Sequence, residues 1–413
     1  MSGYYSIEKA DGRWTLKDGK GKPFYSLGVN CFNYGIGVPM EPMLAAKYGG
    51  PGWYARWAEA KLAGVRELGF NTLAAWHDNY FARLPLPKTI EARCSAKAKM
   101  VNRGWGGYGF PDVFDDSFRA SAHAAMVETF YNKGADPAED PTLIGLYTDN
   151  ELHWWGTGGQ WGMDNPGEGT NGTNLVEDYI RLPADASGKK AWVAFLKERY
   201  GTIERLNERW RAEYESFEDL LWIKEYRAAE EAYAADKLVF LGIIADTYFR
   251  TTKDILRLYD PNHLVLGCRM VGTSTPDIVL EAMARYVDVL SVNFYSFDLP
   301  AAWLDRAYEL TGRPMMITEF SFGAGRSAGF DLITNGAQLT HVRDQKRRGE
   351  SYREFVRQAA ALPYMLGTHW FALYDFWDRQ GLIGNYGLYD RNDELWTEFA
   401  DAVRAAHGEL AVR

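Results

Sequence analysis

Two glutamates stand at the ends of apolar runs that read as β-strands. Glu151 closes Leu143-Ile-Gly-Leu-Tyr-Thr-Asp-Asn-Glu, and Glu319 closes Pro314-Met-Met-Ile-Thr-Glu. An apolar strand end is a costly place for a charge without a task. Two carboxyl groups that face each other are what glycoside hydrolysis requires. One, as the acid, protonates the leaving oxygen, and the other attacks the anomeric carbon or activates water. A pair of buried, salt-bridged glutamates is the plain structural alternative. Aromatic residues near both positions, among them Trp154, Trp155, Tyr295, Trp370 and Trp377, supply flat apolar faces for sugar rings.

The two glutamates face each other only if the chain brings their strands to one mouth. Short β-type runs alternate with longer helical patterns, which implies parallel strands joined by crossover helices. Strands are expected at 24–29, 72–76, 98–103 (poorly marked), 143–148, 263–269, 287–294, 314–318 and 367–373. Helices are expected at 53–68, 117–131, 191–200, 202–210, 216–222, 224–259, 301–311, 352–362 and 396–407, with Asp260-Pro261 stopping the longest. About eight β/α units predict an α/β protein, a (β/α)8 TIM barrel, as a single catalytic domain over residues 1–413. The surplus goes into a helical and loop insertion, 157–222, after the fourth strand. Residues 157–190, rich in Gly, Asn and Asp, read as a long loop, and 154–172 read either as solvated loop or as a cover over one end of a cleft. In such a barrel the reactive groups sit at the C-terminal strand ends. Strands four and seven lie on opposite sides of the mouth, so Glu151 and Glu319 can face each other. After the sixth strand comes Asn293-Phe-Tyr295, and at the eighth come His369-Trp370 and Asp375-Phe-Trp377-Asp378.

The segment from Leu143 to Glu151 resembles the acid/base motif of clan A retaining glycoside hydrolases, particularly the family 42 β-galactosidases and the family 50 β-agarases. Pro314 to Glu319 resembles their strand-seven nucleophile. Phe110-Pro-Asp-Val-Phe-Asp115, Gly367-Thr-His-Trp-Phe371 and Asn385-Tyr-Gly-Leu-Tyr-Asp390 are similar to the agarase-like branch, and Phe195 to Trp210 is similar to a helix pair in both. The likeness runs over about residues 24 to 400. It implies a retaining β-glycosidase that hydrolyses β-galactoside or agarose-type oligosaccharides by double displacement. Glu151 would be the general acid/base and Glu319 the nucleophile, with carboxyl groups ~5–5.5 Å apart. Asn150 would bond the sugar 2-hydroxyl, Tyr295 would hydrogen-bond Glu319, and Trp370 would floor the subsite of the attacked sugar. Asn150 also reads as a turn residue, Tyr295 as a packed aromatic and Trp370 as inner barrel packing. The barrel begins within about 25 residues, so the chain reads as a bare barrel without the added domains of either family.

Further candidates near strand ends are Asn33, Trp76, His77, His153, Arg269, His369 and Trp377, each equally readable as structural. Gly104-Trp-Gly-Gly-Tyr-Gly109 fits a dinucleotide-loop pattern but precedes Phe-Pro rather than a helix start. Gly325-Arg-Ser-Ala-Gly329 fits a nucleophile-elbow pattern, so a serine hydrolase using Ser327 is a rival reading, without an abutting strand. A catalytically silent carbohydrate-binding barrel is another.

Composition bounds the rest. The 413 residues are 46% hydrophobic and 24% charged, which excludes long disorder. A formal charge of −9 argues against nucleic-acid or anionic-membrane binding. The three cysteines, Cys31, Cys94 and Cys268, form no CxxC pair, and no paired-His spacing suggests a metal, so no cofactor is expected. No apolar run approaches ~18 residues and no leader opens the chain, so a cytoplasmic location is expected. The expected partner is an oligosaccharide substrate. A homo-oligomer is compatible with the sequence.

Overall fold

The computed structural model describes residues 3–34, 39–103, 109–132, 137–159, 172–324, 340–378 and 381–411. At its centre is a nine-stranded sheet in which every pairing is parallel. In chain order its strands are Ser26–Val29, Thr72–Leu73, Lys88–Glu91, Leu143–Tyr147, Leu264–Val265, Met270–Val271, Leu290–Asn293, Met315–Phe320 and Met365–Trp370. The two ends of the sheet are Leu264–Val265 and Met270–Val271, pieces of one chain segment. The amides of Asp288 and Val289 both donate to the Val265 carbonyl, at 2.9 and 3.3 Å. The sheet thus curls back on itself into a TIM-like barrel with eight strand positions. The fifth position is broken because Gly267 (φ +79°) and Arg269 (φ +49°) take left-handed conformations that a pleated strand cannot hold. A Cβ at Gly267 would meet only the flexible tip of Met283, so it is the positive φ that demands glycine there.

The third strand departs from the sequence expectation. It is Lys88–Glu91; residues Met100–Arg103 instead pair antiparallel with Gly109–Pro111. Lys-Thr-Ile-Glu is short and half charged, so it carries no apolar signature. Lys88 is buried through an ion pair with Asp140 and a 2.8 Å bond to Thr142 Oγ1. The N-terminal sheet of Ser6–Ala10, Arg13–Lys17 and Pro23–Phe24 was not anticipated either. It places Tyr5 and Leu16 in one buried cluster with Ile144, Leu266, Val289 and Met316, which plugs the lower end of the barrel.

The helices follow the expected order with shifted ends. Trp53–Glu67, Asp116–Val127, Ala301–Thr311, Gln345–Ala361 and Thr397–Ala411 pack outside the barrel. Gln345–Ala361 starts seven residues before the sequence pattern suggests, because its first turns are polar. The Asp344 side chain caps it by accepting from the Arg347 amide at 2.8 Å. Between the fourth and fifth strand positions stand Asn174–Ile180, Ser187–Tyr200, Ile203–Trp210 and Glu230–Tyr259. The last runs for 30 residues and stops at Asp260-Pro261 as the sequence requires. No helix among the described residues is long and apolar enough to cross a membrane.

Candidate active site

Glu319 lies on the seventh strand position and is 4% exposed. Three neighbours donate to it: Arg269 Nη2 to Oε1 at 2.5 Å, Asn293 Nδ2 to Oε1 at 3.0 Å, and the Tyr295 hydroxyl to Oε2. Burial, followed by the Glu319 charge, holds the Tyr295 phenol well above its usual range, so it donates throughout the working pH range.

Glu151 follows the fourth strand with φ +48°, a conformation that aims its side chain away from the line of the strand. Asn293 Nδ2 donates to Glu151 Oε1 at 2.9 Å. Burial first, and then the charge of Glu319, push the Glu151 carboxyl above the ordinary range. Below it, Asp149 accepts from the Ser95 amide (2.9 Å), the Ser95 hydroxyl (2.7 Å) and the Tyr248 hydroxyl (2.6 Å), which fastens the turn. Burial lifts the Asp149 carboxyl to about 7.

Arg269 joins the two halves. Its Nε donates to Asn150 Oδ1 at 2.8 Å while Nη2 reaches Glu319. Its guanidinium is fully buried and lies over the rings of Trp76 at 4.6 Å and Tyr147 at 4.9 Å. Asn30 Oδ1 accepts from the same Nη2 at 3.3 Å. Trp76, itself at φ +63°, donates its indole N–H to Glu91 Oε2, and the Asn33 amide donates to the Trp76 carbonyl at 2.8 Å. Chemically, this arrangement sets a carboxyl held toward its neutral form beside a carboxylate that accepts from three donors.

Of the sequence candidates, Glu151, Glu319, Asn150, Tyr295, Arg269 and Trp76 come together, with Asn33 behind Trp76. His77 bonds the Ala74 carbonyl through Nδ1 at 2.8 Å, and the His153 ring lies tilted against Trp155, with centres 4.5 Å apart. Two further candidates, Trp370 and His369, are sealed in the interior. Trp370 is fully buried; its ring packs on Phe320, Tyr352 and Phe399, between strand and helices. His369 is fully buried inside the barrel, with Nε2 at 2.9 Å from Ser26 Oγ and its pKa pushed down to about 3 by burial. Side chains alternate along a strand, so His369 pointing in forces Trp370 out. The aromatic at the mouth is the next residue, Phe371, half-buried, with ring centres 6.2 Å from both Tyr295 and Trp76. The Trp377 side chain, most of the 154–172 loop, the 104–108 stretch and Ser327 lie outside the described residues. Among the described residues no group of three or more His, Cys, Asp or Glu is placed to hold a metal.

Glu91 and Asn30 are contributors that the sequence did not single out, and Asn293 and Phe371 entered only as members of the segments Asn293-Phe-Tyr295 and Gly367 to Phe371. Asn293 and Phe371 stand beside named candidates but look like turn and core residues. Glu91 was hidden by the misplaced third strand.

With this geometry in view, known proteins sort readily. Beta-agarase A of Vibrio sp. (strain JT0107) is 27% identical over 471 aligned positions, covering 97% of this chain and 45% of the relative. Beta-agarase B of the same strain is 27% identical over 479 positions, covering 98% and 48%. The chain resembles the β-agarases. It spans about half the length of these relatives. The fold agrees: a solved exo-β-agarase superposes with a TM-score of 0.86 at 22% identity, over 100% of this chain and 65% of that one. A β-galactosidase from Halorubrum lacusprofundi shares the fold more distantly, with a TM-score of 0.59 at 15% identity over 94% and 58%. No family model matches the chain.

Proposed function

We propose that this chain is a retaining β-glycosidase acting on β-linked galactoside oligosaccharides of the agarose type. One observation carries the reading: a single amide nitrogen, Asn293 Nδ2, donates to both Glu151 and Glu319. Two oxygens that share one donor nitrogen at these distances lie at most about 6 Å apart, which fits the close carboxyl pair of a retaining enzyme better than the wider pair of an inverting one. Glu319 attacks the anomeric carbon while Glu151 gives its proton to the leaving oxygen. A water deprotonated by Glu151 then cleaves the glycosyl ester, and the anomeric configuration is retained. Asn150 Oδ1 is occupied by Arg269 and Asn293, which leaves its N–H2 to donate to the 2-hydroxyl. The substrate class rests on the resemblance to β-agarases. Residues 1–413 are read as one catalytic unit, with 157–222 as an insertion into the barrel.

The test is a hydrolysis screen over aryl β-glycosides and agaro-oligosaccharides, followed by labelling with a 2-fluoro glycoside and peptide mapping. Turnover with net retention and a label on Glu319 supports the reading. A label elsewhere, or inversion, overturns the assignment, and binding without turnover makes the chain a silent carbohydrate-binding barrel.

A further inference from the structure

Glu91 ends the third strand position, next to the strand that leads to Glu151, and pairs in register with Tyr147. It is 8% exposed, yet no cation among the described residues bonds it. The one hydrogen bond that its carboxylate receives from the described residues is to Oε2, from the Trp76 indole. That indole is held in turn: its ring lies on the Arg269 guanidinium, and its backbone carbonyl accepts from Asn33. A carboxylate that is nearly buried and given a single neutral donor is left under-satisfied unless something else supplies donors. Oε1 has no donor among the described residues, and it is not among the sealed, unpartnered atoms of the interior. It is therefore not sealed off, and Glu91 lies near enough to Arg269 and Glu319 for their charges to be felt at it.

We propose that Glu91 binds the sugar seated over Glu319, its free Oε1 accepting from a hydroxyl at C3, C4 or C6 of that ring. This rests on the glycosidase reading and goes beyond it, because it names a carboxylate outside the acid/nucleophile pair. The clamp on Oε2 fixes the rotamer before substrate arrives, so little side-chain freedom is lost on binding. A hydroxyl donating to a fixed carboxylate makes a charge-assisted bond, worth about 10- to 100-fold in kcat/KM. A ring lacking that hydroxyl leaves Glu91 with no donor at Oε1 and is discriminated against to a similar degree.

The test compares wild type and Glu91→Gln on an aryl β-galactoside and its 3-, 4- and 6-deoxy analogues. Glutamine keeps the shape and can still accept from the Trp76 indole. The expected result is a loss of about 10- to 100-fold in kcat/KM on the parent that shrinks to about 2-fold or less on one of the deoxy analogues. Equal losses on all four substrates would mean that Glu91 acts only through its charge on Glu151, and no loss would mean that it only supports Trp76; either overturns the proposal. Near-ultraviolet circular dichroism of the variant separates these outcomes from misfolding, and Glu91→Asp, which keeps the charge but retracts it, must show the same substrate pattern. If the wild type cleaves neither aryl galactosides nor agaro-oligosaccharides, the glycosidase reading itself fails and this assignment goes with it.

Discussion

Asn293 gives one amide nitrogen to two carboxyl groups, Glu151 at 2.9 Å and Glu319 at 3.0 Å. Asn293 is fully buried and its bond to Glu319 is sealed from water, while Glu151 is only half-buried. The common nitrogen fixes the spacing of the pair more tightly than the two strands alone could. The shared donor also lowers the Glu151 pKa, against the larger upward push of burial and of Glu319. Asn293→Ala should therefore raise the Glu151 pKa further and lower kcat by about 10²-fold, with KM little changed. Steady-state pH profiles on an aryl β-galactoside check both effects. An unchanged kcat would show that the spacing is set elsewhere.

Glu151 must be protonated to act as an acid, and its carboxyl is shifted upward. Activity should then fall as pH rises through that elevated value, and the basic limb of kcat/KM should lie above the ordinary carboxylate range. Once Glu319 is esterified its charge is gone, which removes the second cause of the shift. In the 2-fluoro glycosyl-enzyme the Glu151 pKa should be lower than in the free enzyme, readable by carbon-13 NMR of labelled glutamate. An equal or higher value would break the acid-then-base role.

Glu319→Gln should cut kcat by roughly 10⁴-fold or more on every substrate. Glu151→Gln should hurt substrates with poor leaving groups most, because a good leaving group needs no proton. Azide should restore part of the activity of a Glu151→Ala variant and yield a β-glycosyl azide. Formation of the α-azide instead would swap the two roles.

Arg269 serves Asn150 through Nε and Glu319 through Nη2. A lysine ammonium cannot span both. Arg269→Lys should lower kcat by about 10²-fold, with the larger part of the loss recovered on 2-deoxy glycosides, where Asn150 has nothing to hold. Equal losses on both substrates would confine Arg269 to Glu319.

Trp370 packs among Phe320, Tyr352 and Phe399, with the Arg348 guanidinium 5.3 Å from its ring centre. Trp370→Ala should cost about 3–5 kcal/mol of stability by denaturant unfolding. The milder Trp370→Phe should keep KM near wild type, whereas Phe371→Ala should raise KM and leave Tm nearly unchanged. The reverse pattern would return Trp370 to the sugar site.

Much of this site was legible in the residues. Apolar runs ending in Asn-Glu and Thr-Glu marked the fourth and seventh strands, since burying a charge at such an end needs a reason, and the alternation of runs and helices implied the barrel that sets them face to face. The third strand was not legible, because Lys88-Thr-Ile-Glu91 has no apolar pattern of its own. It is a strand only because its neighbours hydrogen-bond it and Asp140 neutralises its lysine. Nor does one-dimensional order say whether Trp370 or Phe371 faces the mouth; that follows from the pleat once His369 is turned inward. Tertiary structure alone decided that Arg269, Asn293 and Glu91, which come from three different strand positions, converge on Glu151 and Glu319. Such contacts depend on left-handed turns at Trp76, Glu151 and Arg269, conformations that cost energy locally and persist only because the assembled mouth holds them.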